Sequence, residues 1–278
     1  MGLPFGLGAV LTMMQRPFRL GTTSFIYPDH IIPNVQRIGA FFDEIELLVF
    51  ESKPQAVIPS RDDVKKLAEL SRDLDLTYNV HLPTDINLSA PELRLRREAA
   101  DTLKRVIERF SIAPVTRFTL HLEMDKPLPS QDGIKAWQNN ARQGLELLVP
   151  ALEDPAMVGV ETLWYSPDLF KNLVNEFGLS VCADLGHHIK YGYDIPRTFE
   201  LFGPKINLIH LHGVDTRLEP PRAHIGLDET PPGELRKIMD PLKHYTGTVC
   251  LEVFNLADLQ ASLAALAQTF KNIPCNRC

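Results

Sequence analysis

A chain of 278 residues, 44% of them hydrophobic, can bury one large core, and no Ser/Gly-rich run divides it into separate units. Its formal net charge of −6 and pI near 5.9 leave no broad basic surface for a nucleic-acid backbone, which makes long DNA a poor substrate candidate and points to a small-molecule substrate. The apolar stretch over residues 3–14 lacks a basic leader and is too short to span a bilayer, and no later run reaches the roughly eighteen apolar residues of a membrane span.

A soluble protein with no membrane partner is therefore expected. Residues 1–17 read as a disordered extension, residues 18–271 as one folded domain and residues 272–278 as a tail.

Strand and helix patterns then alternate along the chain. Residues 18–25 read as a first strand, followed by a helix over 29–42 with an early Pro33 and a second strand over 44–50. Ser60 is a helix N-cap, and Val64, Leu67, Leu70 and Leu74 share one face of the helix running to Asp75. Residues 77–82 form the third strand. Leu95, Ala99, Leu103, Val106, Ile107 and Phe110 recur at helical spacing across 92–111, and 117–123 return as a strand. A helix over 132–152 and a strand over 157–163 follow. Ser166-Pro167 opens the next helix and Gly178 ends it. Residues 179–185 are a sixth strand, 195–202 a short helix and 206–213 a seventh strand, after which comes a Pro-rich loop of nearly twenty residues. A helix over 233–245, a strand over 248–254 and a helix over 257–271 complete the pattern.

Eight short strands alternating with eight helices predict an α/β fold, a single-domain (β/α)8 TIM barrel. A doubly wound open sheet is the alternative, but no strand is followed by G-x-G-x-x-G.

Six of the apolar strands end on a residue of metal-ligand type: His81, His121, Glu161, Asp184, His210 and Glu252. In a parallel barrel all strand C-termini open onto one face, so these groups should converge. His187, three residues after Asp184, and His224, in the Pro-rich loop, bring the candidate ligands to eight. Mixed imidazole and carboxylate donors suit divalent Zn, Mn, Fe or Co, and eight groups exceed the need of one ion. Two ions are expected, and up to three. Two ions a few ångströms apart suit in-line displacement at phosphorus, which makes phosphoester hydrolysis the expected chemistry. Glu161, Glu252 and His121 are the expected catalytic residues. The two glutamates are the most telling, because a carboxylate inside an apolar strand is costly without a partner.

Other residues carry weaker expectations. His188 should point away from His187 if that segment is extended, and the parity His212 shares with His210 leaves its role open. Glu46 is read as contacting substrate or supporting a ligand, whereas Glu44 is read as solvent-facing and His30 and His244 as surface residues. Tyr27, Trp164, Tyr165 and Phe254, with Phe25, Tyr191 and Tyr193, fall at or after strand ends and are expected to line an apolar substrate pocket. Cys182 and Cys250 lie inside strands as small hydrophobes, a usage that fits a reducing cytoplasm. The single C-x-x-C of Cys275 and Cys278 lacks the second half-site of a structural zinc.

Taken together, H-L-P at 81–83, H-x-E at 121–123, G-V-E-T at 159–162, D-x-G-H at 184–187, H-L-H-G at 210–213, R-A-H-I-G at 222–226 and L-E-V at 251–253 resemble the xylose isomerase-like barrel superfamily. That superfamily includes endonuclease IV-type AP endonucleases and sugar-phosphate isomerases and epimerases, and the resemblance covers about residues 18–271. It implies that His81, His121 and Glu161 serve one part of a metal cluster, completed by Asp184, His187, His210, His224 and Glu252. Gly213 departs from the acidic residue many members carry there, and no Asp directly precedes His224, so the ligands for a third ion differ from the superfamily pattern.

More narrowly, the segments over 21–35, 42–52 and 76–85 resemble the cobamide-remodelling phosphodiesterases, an offshoot of that superfamily. This implies hydrolysis in the nucleotide loop of a cobamide, a B12-type corrinoid, releasing a cobinamide-level product. Two alternatives stand beside it. One is a mononuclear sugar isomerase or epimerase built on Glu161, Asp184, His210 and Glu252; the other is a non-catalytic corrinoid- or metal-binding barrel. The acidic charge balance ranks an AP endonuclease below all three.

Overall fold

Strands of a parallel barrel are covered by helices outside and by side chains inside, so they read as short, almost wholly buried runs. The computed structural model, which describes residues 14–53 and 58–271, has that character in most strands, the start of β4 being half-buried. Its barrel strands are β1 Arg19–Thr23, β2 Glu44–Leu48, β3 Thr77–His81, β4 Val115–Leu120, β5 Val158–Glu161, β6 Ser180–Asp184, β7 Ile206–Leu211 and β10 Thr248–Leu251. They are parallel and close in the order β1-β10-β7-β6-β5-β4-β3-β2, as expected for a (β/α)8 TIM barrel. The closing seam pairs Leu20 with Val249 and Thr22 with Leu251.

The helices are α1 Ile31–Ile38, α2 Arg61–Leu74, α3 Leu93–Arg109, α4 Gln131–Leu148, α5 Lys171–Glu176, α6 Leu185–Tyr191, α7 Ile195–Phe202, α8 Pro232–Leu242 and α9 Leu256–Phe270. Ser60 caps α2 in a reciprocal box with Asp63, and Val64, Leu67 and Leu70 are buried on its inner face. On α4, Ile134, Trp137, Ala141, Leu145 and Leu148 supply the same three-and-four spacing. The expected α3 stripe shifts at its start: Leu95 is 37% exposed and Arg96 is buried instead, its guanidinium donating to Ala90 O and Gln143 Oε1.

Four expectations are corrected. The segment after Asp184 is not extended but forms α6, because the Asp184 carboxylate accepts the His187 N–H at 2.7 Å and caps the helix. The loop after β7 folds into an antiparallel hairpin of β8 Gly213–Asp215 and β9 Arg222–Ile225. Strand β4 begins and ends earlier than expected. Glu44 is not solvent-facing: it is fully buried and accepts hydrogen bonds from Thr77 Oγ1, Asn79 Nδ2 and Thr116 Oγ1, each at 2.9 Å.

Residues 14–17 of the expected extension contact the barrel through buried Met14 and through Arg16, which donates to Asp43 Oδ2 at 2.7 Å. The rest of that extension, and the tail with Cys275 and Cys278, lie outside the described residues. Among the described residues no helix is long and apolar enough to cross a membrane.

Candidate metal centre

All eight candidate ligands reach one mouth of the barrel. His81, Glu161 and Asp184 are the last residues of β3, β5 and β6; His121 and Glu252 directly follow β4 and β10, and His210 is the penultimate residue of β7. His187 comes from the first turn of α6, and the β8–β9 hairpin swings His224 back over the opening.

The side chains form three groups whose ligand-type atoms lie within 4.8 Å of one another: His81, His121 and Glu161; Glu161, Asp184, His210 and Glu252; and His187, His212 and His224. Glu161 belongs to two of them. Its Oε2 lies 3.3 Å from His81 Nε2 and 2.7 Å from His121 Nε2, while Oε1 lies 3.3 Å from His210 Nδ1. One carboxylate thus faces two adjacent groups with different oxygens.

Each histidine is aimed by its other ring nitrogen, an arrangement typical of ligating imidazoles. His81 Nδ1 lies 3.0 Å from Leu82 O, His121 Nδ1 2.9 Å from Glu123 Oε1, and His210 Nε2 2.9 Å from Glu46 Oε1. His187 Nδ1 lies 3.1 Å from Thr162 O, and His224 Nδ1 lies 3.3 Å from Glu252 O. Glu46 is fully buried behind His210 and orients its imidazole, the supporting role among the two expected for it. Glu123 and His212 were not assigned from sequence, although H-x-E and H-L-H-G contained the signal.

Without metal, these buried charges shift one another strongly. Burial opposes ionisation of Glu161, but His121 and His210 hold its carboxyl well below the usual range. Burial likewise opposes the charge on Asp184, and His187 and His212 more than offset it. Glu252 is pushed well above the usual carboxylate range, by burial first and then by Glu161, Asp184 and Glu46. Burial works against protonation of His121, yet Glu161 and Glu123 raise it to about 10. His210 is held well above its ordinary value, against burial, by Cys182 and by Glu46, Glu252 and Glu161. His224 is lowered to about 3 by burial and by His212, leaving the neutral imidazole that can ligate.

Divalent ions fit this donor set. Asp184 Oδ2, Glu252 Oε2 and His212 Nε2 are buried side-chain atoms that make no hydrogen bond, a state a cation would relieve. Ligands that hold protons must release them to bind metal; in the metal-free protein His121 is raised to about 10, and His210 and Glu252 are shifted in the same proton-holding direction. Metal uptake is therefore expected to release protons. Apparent affinity should tighten as pH rises from about 7 toward about 10, checked by competition with a chromophoric chelator across that range.

The third group depends on two glycines. A Cβ on Gly213 would sit 2.1 Å from Gly226 O, so the close hairpin backbones exclude the acidic residue many superfamily members carry there. His212 completes the group with His187 and His224. Its Nδ1 lies 3.1 Å from both Gly213 O and the His224 backbone N, and the two rings lie 4.0 Å apart, with His224 held at a φ of 56°. A Cβ on Gly186 would lie 2.1 Å from His212 Cε1. Gly186→Ala is expected to swing that ring out, cost about 1–3 kcal/mol of stability and empty the third group while sparing the other two. Thermal melts and metal counts per chain check this.

The aromatic expectations divide. Phe254 lies against His224 with ring centroids 5.3 Å apart. Tyr165 lines no pocket: it is fully buried, donates to Leu122 O and packs between Trp137 and Phe170. Trp164 donates to Met124 O at 3.2 Å, under the Lys126 ammonium, and Tyr27 packs beneath the Arg37 guanidinium. His188 is buried between Asp184 O and Thr198 Oγ1, and His30 and His244 are exposed. Cys182 and Cys250 are buried free thiols, although Cys250 also donates to Glu46 Oε2.

A parallel barrel with imidazoles and carboxylates gathered at its strand ends offers a candidate metal centre. The chain belongs to the xylose isomerase-like TIM barrel family, whose model matches residues 32–271. No match was found among curated protein sequences. The structure is similar to that of a D-tagatose 3-epimerase-like protein, with a TM-score of 0.73 and 19% identity over 91% of this chain and 97% of that one. Endonuclease IV from Thermus thermophilus gives 0.65 and 17% over 90% and 99% of the two chains. The IolI protein, solved with a zinc atom bound, gives 0.67 and 14% over 91% and 95%. Likeness at these identities establishes the fold alone.

Proposed function

We propose that the protein is a metal-dependent phosphodiesterase of the CbiR type, hydrolysing the nucleotide-loop phosphodiester of cobamides for corrinoid salvage. The observation that carries this reading is Glu161, whose two oxygens face two different ligand groups. Two divalent ions held there would supply Lewis-acid polarisation at phosphorus. His81, His121 and Glu161 would hold one; Glu161, Asp184, His210 and Glu252 the other; and His187, His212 and His224 offer room for a third. Glu46 and Glu123 keep His210 and His121 aimed. The proposed partner is a small corrinoid, not a nucleic acid or membrane, and the buried free thiols support a cytoplasmic setting.

A second reading, a mononuclear sugar or sugar-phosphate epimerase, is favoured by the self-contained group of Glu161, Asp184, His210 and Glu252 and by the epimerase-like structural neighbour. It leaves His81 and His121 without work. The decisive experiment incubates metal-reconstituted protein anaerobically with adenosylcobalamin and identifies products by mass spectrometry. Cobinamide or cobinamide phosphate is the expected product. An intact cobamide across Zn, Mn, Fe and Co would overturn the reading and direct attention to sugar phosphates.

A further inference from the structure

Three phenylalanines form a wall on one side of the centre. Phe25 follows β1, Phe50 follows β2 and Phe254 follows β10, and these strands are neighbours in the barrel. With Leu48, Val49 and Glu51 they line a cavity of about 400 Å³, within the size range of small-molecule sites. The wall is continuous with the ligands: Phe50 meets His81 edge-on at 4.7 Å, Phe254 lies against His224 at 5.3 Å with 31° between planes, and the two phenyl rings meet at 6.3 Å. Phe25 leaves 49% of its surface open, the largest exposure of any aromatic ring at this mouth.

We propose that this cavity is the ring-binding subsite of the substrate, taking a planar conjugated heterocycle tethered to the group held over the metal ligands. Resting on the phosphodiesterase reading, this makes the base of the nucleotide loop the occupant and the three phenylalanines its specificity determinants. The lining explains the choice. Among the described residues Glu51 is its one charged side chain, so the hydroxyls of a free sugar would lose water there without replacement partners, whereas a flat ring gains stacking and buries the open Phe25 face. The short distances to His81 and His224 place such a ring one linker away from the ligand groups.

The test measures indole, a planar ring without phosphate, by saturation-transfer NMR on metal-loaded wild type and on Phe25→Ser, together with KM for adenosylcobalamin. Phe25 is exposed and touches no ligand histidine in the ring contacts above, so the variant should fold and keep its metal. Indole should bind wild type and lose at least about fivefold affinity in the variant, and KM for the cobamide should rise about tenfold. Absence of indole binding, binding that Phe25→Ser leaves intact, or an unchanged KM in an enzyme that hydrolyses cobamide would each overturn the subsite. Phe25-dependent indole binding by a protein that leaves cobamides intact would keep the subsite and overturn the cobamide reading instead.

Discussion

Glu161→Gln is expected to lower phosphodiester hydrolysis by on the order of 10³-fold and to reduce the metal bound per chain in both groups that share this residue. The substitution preserves shape and removes charge, so the loss reports electrostatics rather than packing. A glutamine offers one acceptor and presents an NH2 to whichever side the other oxygen served, so one of the two groups loses its carboxylate donor outright. Glu161→Asp should fare little better, because a shorter side chain cannot reach His121 Nε2 and His210 Nδ1 together. The metal-free protein offers an independent readout. The folded pKa of Glu161 is held down by His121 and His210 against the opposing effect of burial, so its contribution to stability is present above the ordinary carboxylate value of 4.5 and fades as pH falls through the lowered one. Metal-free Glu161→Gln should therefore melt below wild type at neutral pH, with the gap closing in acid. Metal analysis, rates and melts across pH check all three.

The barrel itself is legible because its signal is local: short β-rich runs and amphipathic helices recur in strict alternation, and six of the eight strands end on a residue that apolar context makes conspicuous. Sequence and structure part where parity or capping decides the outcome. Glu44 and Glu46 are two apart on one strand, so they share a face, and reading one as inward and the other as solvent-facing contradicts the period of the sheet. D-L-G-H-H reads as a continued strand although Asp184 is a good helix N-cap, and that cap is what turns His187 toward the mouth. Other features are not local at all. His212 joins the third group because the hairpin folds His224 back onto it, and Tyr165 drops out of the expected pocket because Leu122 O, 43 residues away, accepts its hydroxyl. Phe50 could not be singled out from sequence, since only barrel closure brings β2 and β10 to the two sides of β1.

His81→Ala combined with His121→Ala separates the two functional readings most sharply. These imidazoles belong to the first group and to neither of the others, so the four ligands Glu161, Asp184, His210 and Glu252 all remain in the variant. Two-ion chemistry at phosphorus should fall by about a hundredfold or more, with one ion per chain lost from the first group. A mononuclear epimerase should keep its rate, because nothing in the four-residue group depends on His81 or His121 for a ligand atom. The variant has a built-in complication: Glu161 Oε2 loses both of its imidazole partners, and a buried carboxylate oxygen without a partner is costly. Circular dichroism and retained metal at the second group therefore accompany the rates. Restoring His121 alone, aimed by Glu123 and 2.7 Å from Glu161, should recover more hydrolysis than restoring His81 alone at 3.3 Å. Equal recovery from either imidazole would mean that the shared carboxylate, not the geometry around it, sets the affinity of the first group.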